Sequence, residues 1–381
     1  MLPILYPSNT AKQGFDKNGL GFIKDCTSCL STEVQNGLYE CELSVLKNDR
    51  LSDLIIPSNF VKVKANGYDP PQTFEIYQVS SDTRTITAKA RHLKYIACGN
   101  ATSETLIINN PDTPQNIWDN HIAEYLTLTN HFEFYSNITS TGLVTAAKER
   151  PTRLGDIFQG VKGSMLDVFG GEFHYDNFKI ELLNRRGTDT GIAIRWGSQV
   201  SNLIQDADST TVYNYLLPFA KVKIETSVTR TSMGEYMIYG NIVNLDCSQL
   251  TYERVLTYDF TDEFADDVLT VDENNYSPDS GEYTALLQKL NALANKYKDN
   301  NESALKETSV NITVDLADTL KTLQDCKLCD TVLVRLGEVN TRAKIVKTVY
   351  DCLNEEYVKI ELGAIKKTIA DLFSGKNIGG A

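Results

Sequence analysis

The sequence predicts a β-rich α+β chain of several domains: two barrel-like antiparallel β modules with an α/β domain inserted between them. Three observations carry this. Short alternating segments rich in Val, Ile, Thr and Tyr occupy both ends of the chain. A helical pattern and then a tight hairpin occupy the middle. The length, 381 residues with 41% hydrophobic, 19 Tyr and 14 Phe, is enough to bury more than one core. The reading divides the chain into a first β-barrel-like module at 1–98, an inserted α+β domain at 99–200, and a third segment at 201–304. A second barrel-like module at 305–370 and a loose Gly-rich tail at 371–381 complete it.

In the first module, Asn36-Gly37 is a turn signal before an alternating run at 38–45, and further strand-like runs follow at 60–63, 74–79 and 85–90. From Thr113 the period becomes helical. Thr113 can cap, Pro114 suits the first helical position, and Ile117, Trp118, His121, Ile122, Tyr125 and Leu126 share a face. On that face His121 is expected to be a packed residue. Leu154, Ile157, Phe158 and Val161 suggest a second short helix. Ser164 can cap a third at 165–169, which Gly170-Gly171 would end. The hairpin 172–182 turns at Asp176-Asn177, with Phe173, Tyr175, Phe178 and Ile180 expected to be buried. A further strand is read at 192–197.

Strands are expected beyond Pro218, at 220–225 and 236–239. Nine acidic residues and no Lys or Arg lie from Asp259 to Glu282. Without the regular ligand spacing of a calcium loop, that run reads as an acidic linker. An amphipathic helix follows, with Leu286, Leu287, Leu290, Leu293, Ala294 and Tyr297 along one side, and closes near Asn300-Asn301. Runs at 332–334, 343–346 and 357–362 then match the order and rough spacing of the strands near the start. Ile365, Ile369, Leu372 and Phe373 suggest a short terminal helix.

The chemistry-bearing residues are sparse. The formal charge is −13, and no Lys/Arg cluster of the kind that displaces counterions from phosphates is present, so stable nucleic-acid binding is not expected. The start lacks the basic and apolar regions of a signal peptide, and no apolar run is long enough to span a membrane. Eight cysteines are scattered along the chain. Two C-x-x-C pairs, Cys26/Cys29 and Cys326/Cys329, could make a zinc site if the fold joined them. Their sequence context lacks a zinc knuckle, so they are expected to be small packed residues in a reducing compartment, with no metal bound. The histidines His92, His121, His131 and His174 form no H-E-x-x-H, and no G-x-S-x-G elbow or phosphate loop appears. Gly163-Ser164 and Gly170-Gly171-Glu172 follow or end helical turns and are structural. No catalytic, cofactor-binding or metal residue is assigned.

The run 162–178, KGSMLDVFGGEFHYDNF, resembles the prophage tail endopeptidase family, also described as tail-associated or tail-hub proteins. The run 184–197, NRRGTDTGIAIRWG, continues the resemblance, and 24–40, 259–264, 330–332 and 357–363 also fit. The resemblance implies a trimeric hub of a phage baseplate or tail tip, whose two β-barrel-like domains per subunit form a pseudo-sixfold ring under the hexameric tube. Its expected partners are distal tail, tail tube and tape measure proteins, and DNA would pass through its channel on ejection. It would be assembled in the bacterial cytoplasm and reside at the virion tail tip. In the family a wall-degrading domain often follows this module. Here the chain ends soon after it, so the expectation is a structural protein and not an enzyme. A peptidoglycan hydrolase is the alternative, and a wall-binding module using Trp118 or Trp196 is a third reading.

Overall fold

Alternation after Cys26 turns Cys29, Ser31 and Glu33 inward along the strand Cys26–Val34. The same period turns Tyr39, Cys41, Leu43 and Val45 inward along Tyr39–Leu46. Between them Asn36 adopts a left-handed conformation (φ 50°), the tight turn that Asn-Gly favours. The structure, a computed structural model, describes residues 1–127, 131–195, 200–208, 212–247, 250–272, 277–306, 309–316, 325–336 and 339–363. Contacts divide the chain into two units, one joining 1–205 to 311–365 and the other built on 206–310. The terminal-helix reading, the Gly-rich tail and Trp196 lie outside the described residues.

The main sheet of the first unit runs in spatial order Ser309–Leu316, Glu356–Leu362, Val339–Asp351, Cys26–Val34, Tyr39–Leu46, Thr85–His92, Gln72–Ser81, Phe60–Val63 and Ile4–Tyr6. All these neighbours are antiparallel. Its seam is the pairing of Cys26–Val34 with Val339–Asp351, where Val34 faces Lys347 and Leu30 faces Asp351. The strands read in the first and last modules therefore lie edge to edge in one continuous sheet. Thr331–Leu336 pairs antiparallel with Val339–Asp351 and parallel with Asp189–Arg195, so the strand read at 192–197 starts earlier and belongs with the C-terminal set.

The middle of this unit follows its capping residues. The Thr113 side chain accepts from the Asn116 N–H, with Pro114 opening the helix Pro114–Ile117, which continues as a π turn over Trp118–Ile122. Ser164 accepts from Asp167 N–H to start Met165–Phe169, and Gly170 (φ 65°) ends it. The hairpin of Glu172–Asp176 and Lys179–Leu183 turns at Asn177 (φ 50°), and Glu133–Ser136 adds a parallel third strand. Trp118, Phe134, Phe158, Phe173 and Tyr175 form a chain of rings with successive centroids 4.9, 6.0, 5.6 and 5.7 Å apart. His92 continues it from Tyr175 to Tyr39, on which it stacks at 4.5 Å. The inserted segment and the main sheet thus share one core. Phe178 departs from expectation: it is half-buried at the hairpin tip, beside Phe15 and Phe132.

In the second unit the long strand Tyr215–Thr226 is central. Ser232–Tyr239 and Val243–Asn244 pair with it antiparallel, Val255–Asp259 and Val268–Val271 parallel. The helix Ser280–Lys306 covers one face, burying Leu286, Leu290, Ala294 and Leu305 against Leu216, Ala220, Val222 and Ile238. It runs past Asn300-Asn301, because Leu305 continues its apolar side. The acidic run is not a linker. Phe260, Phe264, Leu269 and Val271 are buried within it, which holds its carboxylates on a solvent-facing frame.

Candidate functional site

The densest polar constellation lies in the first unit, where the hairpin meets the main sheet. At the open end of the hairpin, Asn36 donates through Nδ2 to Gly171 O (3.0 Å) and accepts from Phe173 N–H (2.7 Å). Glu172 accepts from Arg186 N–H (2.6 Å) and Gln35 Nε2 (3.3 Å) and pairs with Lys344. Arg186, which follows the hairpin, is buried with Glu33 (Nη1 to Oε1 2.7 Å) and donates from Nη2 to the Tyr68 hydroxyl (3.0 Å). Gly187 then passes so close to the next strand that a Cβ there would sit 2.0 Å from Cys329 O, which only glycine allows. Asp330 takes the Thr188 N–H at 2.7 Å just beyond it.

At the closed end Asn177 accepts from Thr73 N–H (3.0 Å) and donates to Pro71 O, while Gln72 takes the Asn177 N–H and donates to Asp176. His92, fully buried, shares Gln72 Oε1 at 3.0 Å. Between the two ends His174 stands between carboxylates, with Nδ1 2.7 Å from Glu181 and Nε2 3.2 Å from Asp69. Burial and the Arg186 charge pull its pKa down, but hydrogen bonds to Asp69 and Glu181 and the Asp69 charge outweigh them, and the net shift is upward. Burial pushes the Asp69 and Glu181 carboxyls up; His174 and, for Glu181, Lys179 outweigh it and hold both below their ordinary values. With both ring nitrogens engaged, His174 has none turned to a substrate. The whole constellation joins the hairpin to the sheet.

Sequence reading noticed His92, His174 and Arg186 but not their convergence, because their partners lie up to 153 residues away. His121 is partly buried and His131 exposed, and neither joins the network. Trp118 is 4% exposed inside the ring stack, so it offers no platform for sugars. The two C-x-x-C pairs occupy different surroundings: Cys29 interacts with Cys26, Cys41 and Cys352, whereas Cys329 lies among Glu172, Arg186, Lys344 and Glu33.

A second feature is a surface. On the uncovered face of the second unit's sheet, Met237, Tyr239 and Val255 are 38%, 58% and 44% exposed, with Leu217 and Phe219 half-buried among them. Ser232–Tyr239 is an edge strand among the described residues, pairing only with Tyr215–Thr226. Lys221, Lys223 and Glu235 share that face, Lys221 ion-paired with Glu235 at 3.6 Å, so apolar and charged groups mix on a surface that runs to an open sheet edge, the kind that proteins use in assembly. No helix among the described residues is long and apolar enough to cross a membrane.

No protein-family model matches the chain, and no curated protein matches it. Among solved structures the chain is similar to prophage tail protein gp18 from Listeria monocytogenes EGD-e. The identity is 15% and the TM-score 0.54, over 98% of this chain and 98% of that one. It is also similar to the tail protein from Neisseria meningitidis MC58, at 9% identity and a TM-score of 0.50, over 95% of each chain. The fold is that of phage tail proteins, as the resemblance in the central sequence block implied.

Proposed function

We propose that the chain is a structural, non-catalytic hub of a bacteriophage or prophage tail tip, acting as a homotrimer that caps the tail tube and lets DNA leave. The observation that carries this is the likeness of fold to a prophage tail protein along 98% of both chains. The continuous sheet adds support, because one copy presents two sets of β strands side by side, and three copies would then meet the six positions of a tube. The exposed face bearing Met237, Tyr239 and Val255 is the surface offered to neighbours in the tail, which by this reading include distal tail, tube and tape measure proteins. The net charge of −13 suits a channel that DNA slides through without binding. Assembly would take place in the host cytoplasm and the finished protein would sit in the virion.

A peptidoglycan hydrolase is the competing reading. The polar network that could have supplied an acid and a base is engaged in holding the hairpin, which favours the structural role. Gold-labelled antibody against the chain on purified tails tests the choice, together with incubation of the pure chain on cell walls. Label at the distal end and no release of wall fragments supports the hub. Absence of label from the particle, or release of new amine ends from the wall, contradicts it.

A further inference from the structure

Three cysteines converge at the seam of the main sheet, with a fourth beside them. Between the strands Cys26–Val34 and Tyr39–Leu46, Cys29 faces Leu43 and Ser31 faces Cys41, so Cys29 and Cys41 are diagonal neighbours, two pairs apart, on the same inward side. Their sulfurs are 3.6 Å apart. Cys352 lies just past the end of Val339–Asp351, and its N–H donates to Cys29 O at 2.8 Å, which brings a third thiol to the same point. The Sγ atoms of Cys29, Cys41 and Cys352 all lie within 4.8 Å of one another, and all three residues are buried. Cys26, three residues before Cys29 on the same strand, is the fourth: it is only partly buried, its thiol donates to Ser28 O, and it stands beside the trio and not within it, so binding an ion would draw its sulfur inward.

We infer that Cys26, Cys29, Cys41 and Cys352 form a thiolate site for a single structural zinc ion, fastening the N-terminal strands to the C-terminal ones. Sulfurs bound tetrahedrally to zinc at about 2.3 Å stand about 3.8 Å apart, close to the Cys29–Cys41 separation. An all-sulfur donor set selects a soft or borderline ion over calcium or magnesium. Buried cysteines otherwise pack as small apolar residues; Cys326 and Cys329 are buried outside this cluster, Cys329 beside Glu172 and Arg186. Cys26, the partly buried member, gives the ion its way in. Each thiol loses its proton to solvent as the ion binds, and because the ligands come from three separate segments, the binding energy becomes folding energy. Neither C-x-x-C pair disclosed the site, because Cys41 and Cys352 complete the first pair from outside any motif.

The test uses the full chain, purified under reducing conditions without metal-affinity steps. Zinc content is measured, cobalt(II) is exchanged in, and melting is followed with and without chelator. The expected result is one zinc per chain, a cobalt spectrum of tetrahedral thiolate type, and a lower melting temperature once zinc is stripped. Cys41→Ser and Cys352→Ser should lose the ion, while Cys326→Ser keeps it. Should the first two fail to fold, the wild-type cobalt spectrum still decides. A reconstituted wild-type chain with no zinc, a disulfide among these four cysteines in freshly isolated protein, or equal zinc loss in Cys326→Ser would overturn the inference.

Discussion

Arg186 and Glu33 carry the most consequential single contact. Both side chains are almost fully buried, at 7% and 6% exposure; Arg186 reaches Glu33 Oε1, and the buried Glu33 Oε2 has no hydrogen-bond partner. Removing one member leaves an uncompensated charge inside the protein, which typically costs about 3–5 kcal/mol. Arg186→Met should therefore lower the urea midpoint sharply, and adding Glu33→Leu should restore most of the loss. A single variant as stable as the parent would show that the pair is solvated. His174 adds a pH dependence with a definite sign. Its pKa is raised in the fold, so its contribution is whole below its ordinary 6.5 and fades as pH rises through the raised value. Asp69 and Glu181 are depressed, so theirs is whole above their ordinary 3.8 and 4.5 and fades as pH falls through the lowered values. The cluster stabilises most between about pH 4.5 and 6.5. Melting curves across pH should show the alkaline fade in the parent and not in His174→Gln; an identical slope in both would contradict it. Caps and turns were legible residue by residue, since Thr113 and Ser164 cap through an N–H three positions on and Asn177 turns the hairpin by its own left-handed backbone; its side-chain bonds to Thr73 and Pro71 were not. The Arg186–Glu33 pair was not, because nothing local marks a charge destined for burial.

Among the elements, the hairpin is the best-read and also shows where reading stops. Alternation identified both strands and the Asn177 turn. Phe173, Tyr175, Ile180 and Leu182 are buried in the shared core. Phe173→Ala should cost about 3–5 kcal/mol, the usual loss for a buried ring, whereas Phe178→Ala should cost clearly less because that ring is half-buried at the tip. Chemical denaturation of the two variants checks the order, and equal losses would mean the tip is as tightly packed as the ring stack. The second unit shows the opposite error. Charge density between Asp259 and Glu282 concealed a turn and a strand whose few apolar residues are anchored by the helix and the central strand. The helix itself outran its expected end because two asparagines are a weak stop when Leu305 still has a core to meet.

For the molecule as a whole, the sequence disclosed β structure at both ends but not how the ends meet. Strand pairing across more than three hundred residues, as between Leu30 and Asp351, has no local signature, and neither does the parallel pairing of Asp189–Arg195 with Thr331–Leu336. The proposed hub rests on the Leu30–Asp351 seam: one chain would supply two adjacent strand sets, and cyclic closure of three chains would supply six. Dilute solution is a poor place to test this, since the contacts that close the ring can depend on the tube. A reconstruction of the purified tail tip at a resolution that traces strands settles it. The account requires three copies about a threefold axis, with the strands flanking the Leu30–Asp351 seam lining one ring; copies about a twofold or sixfold axis, or a ring built without those strands, would contradict it.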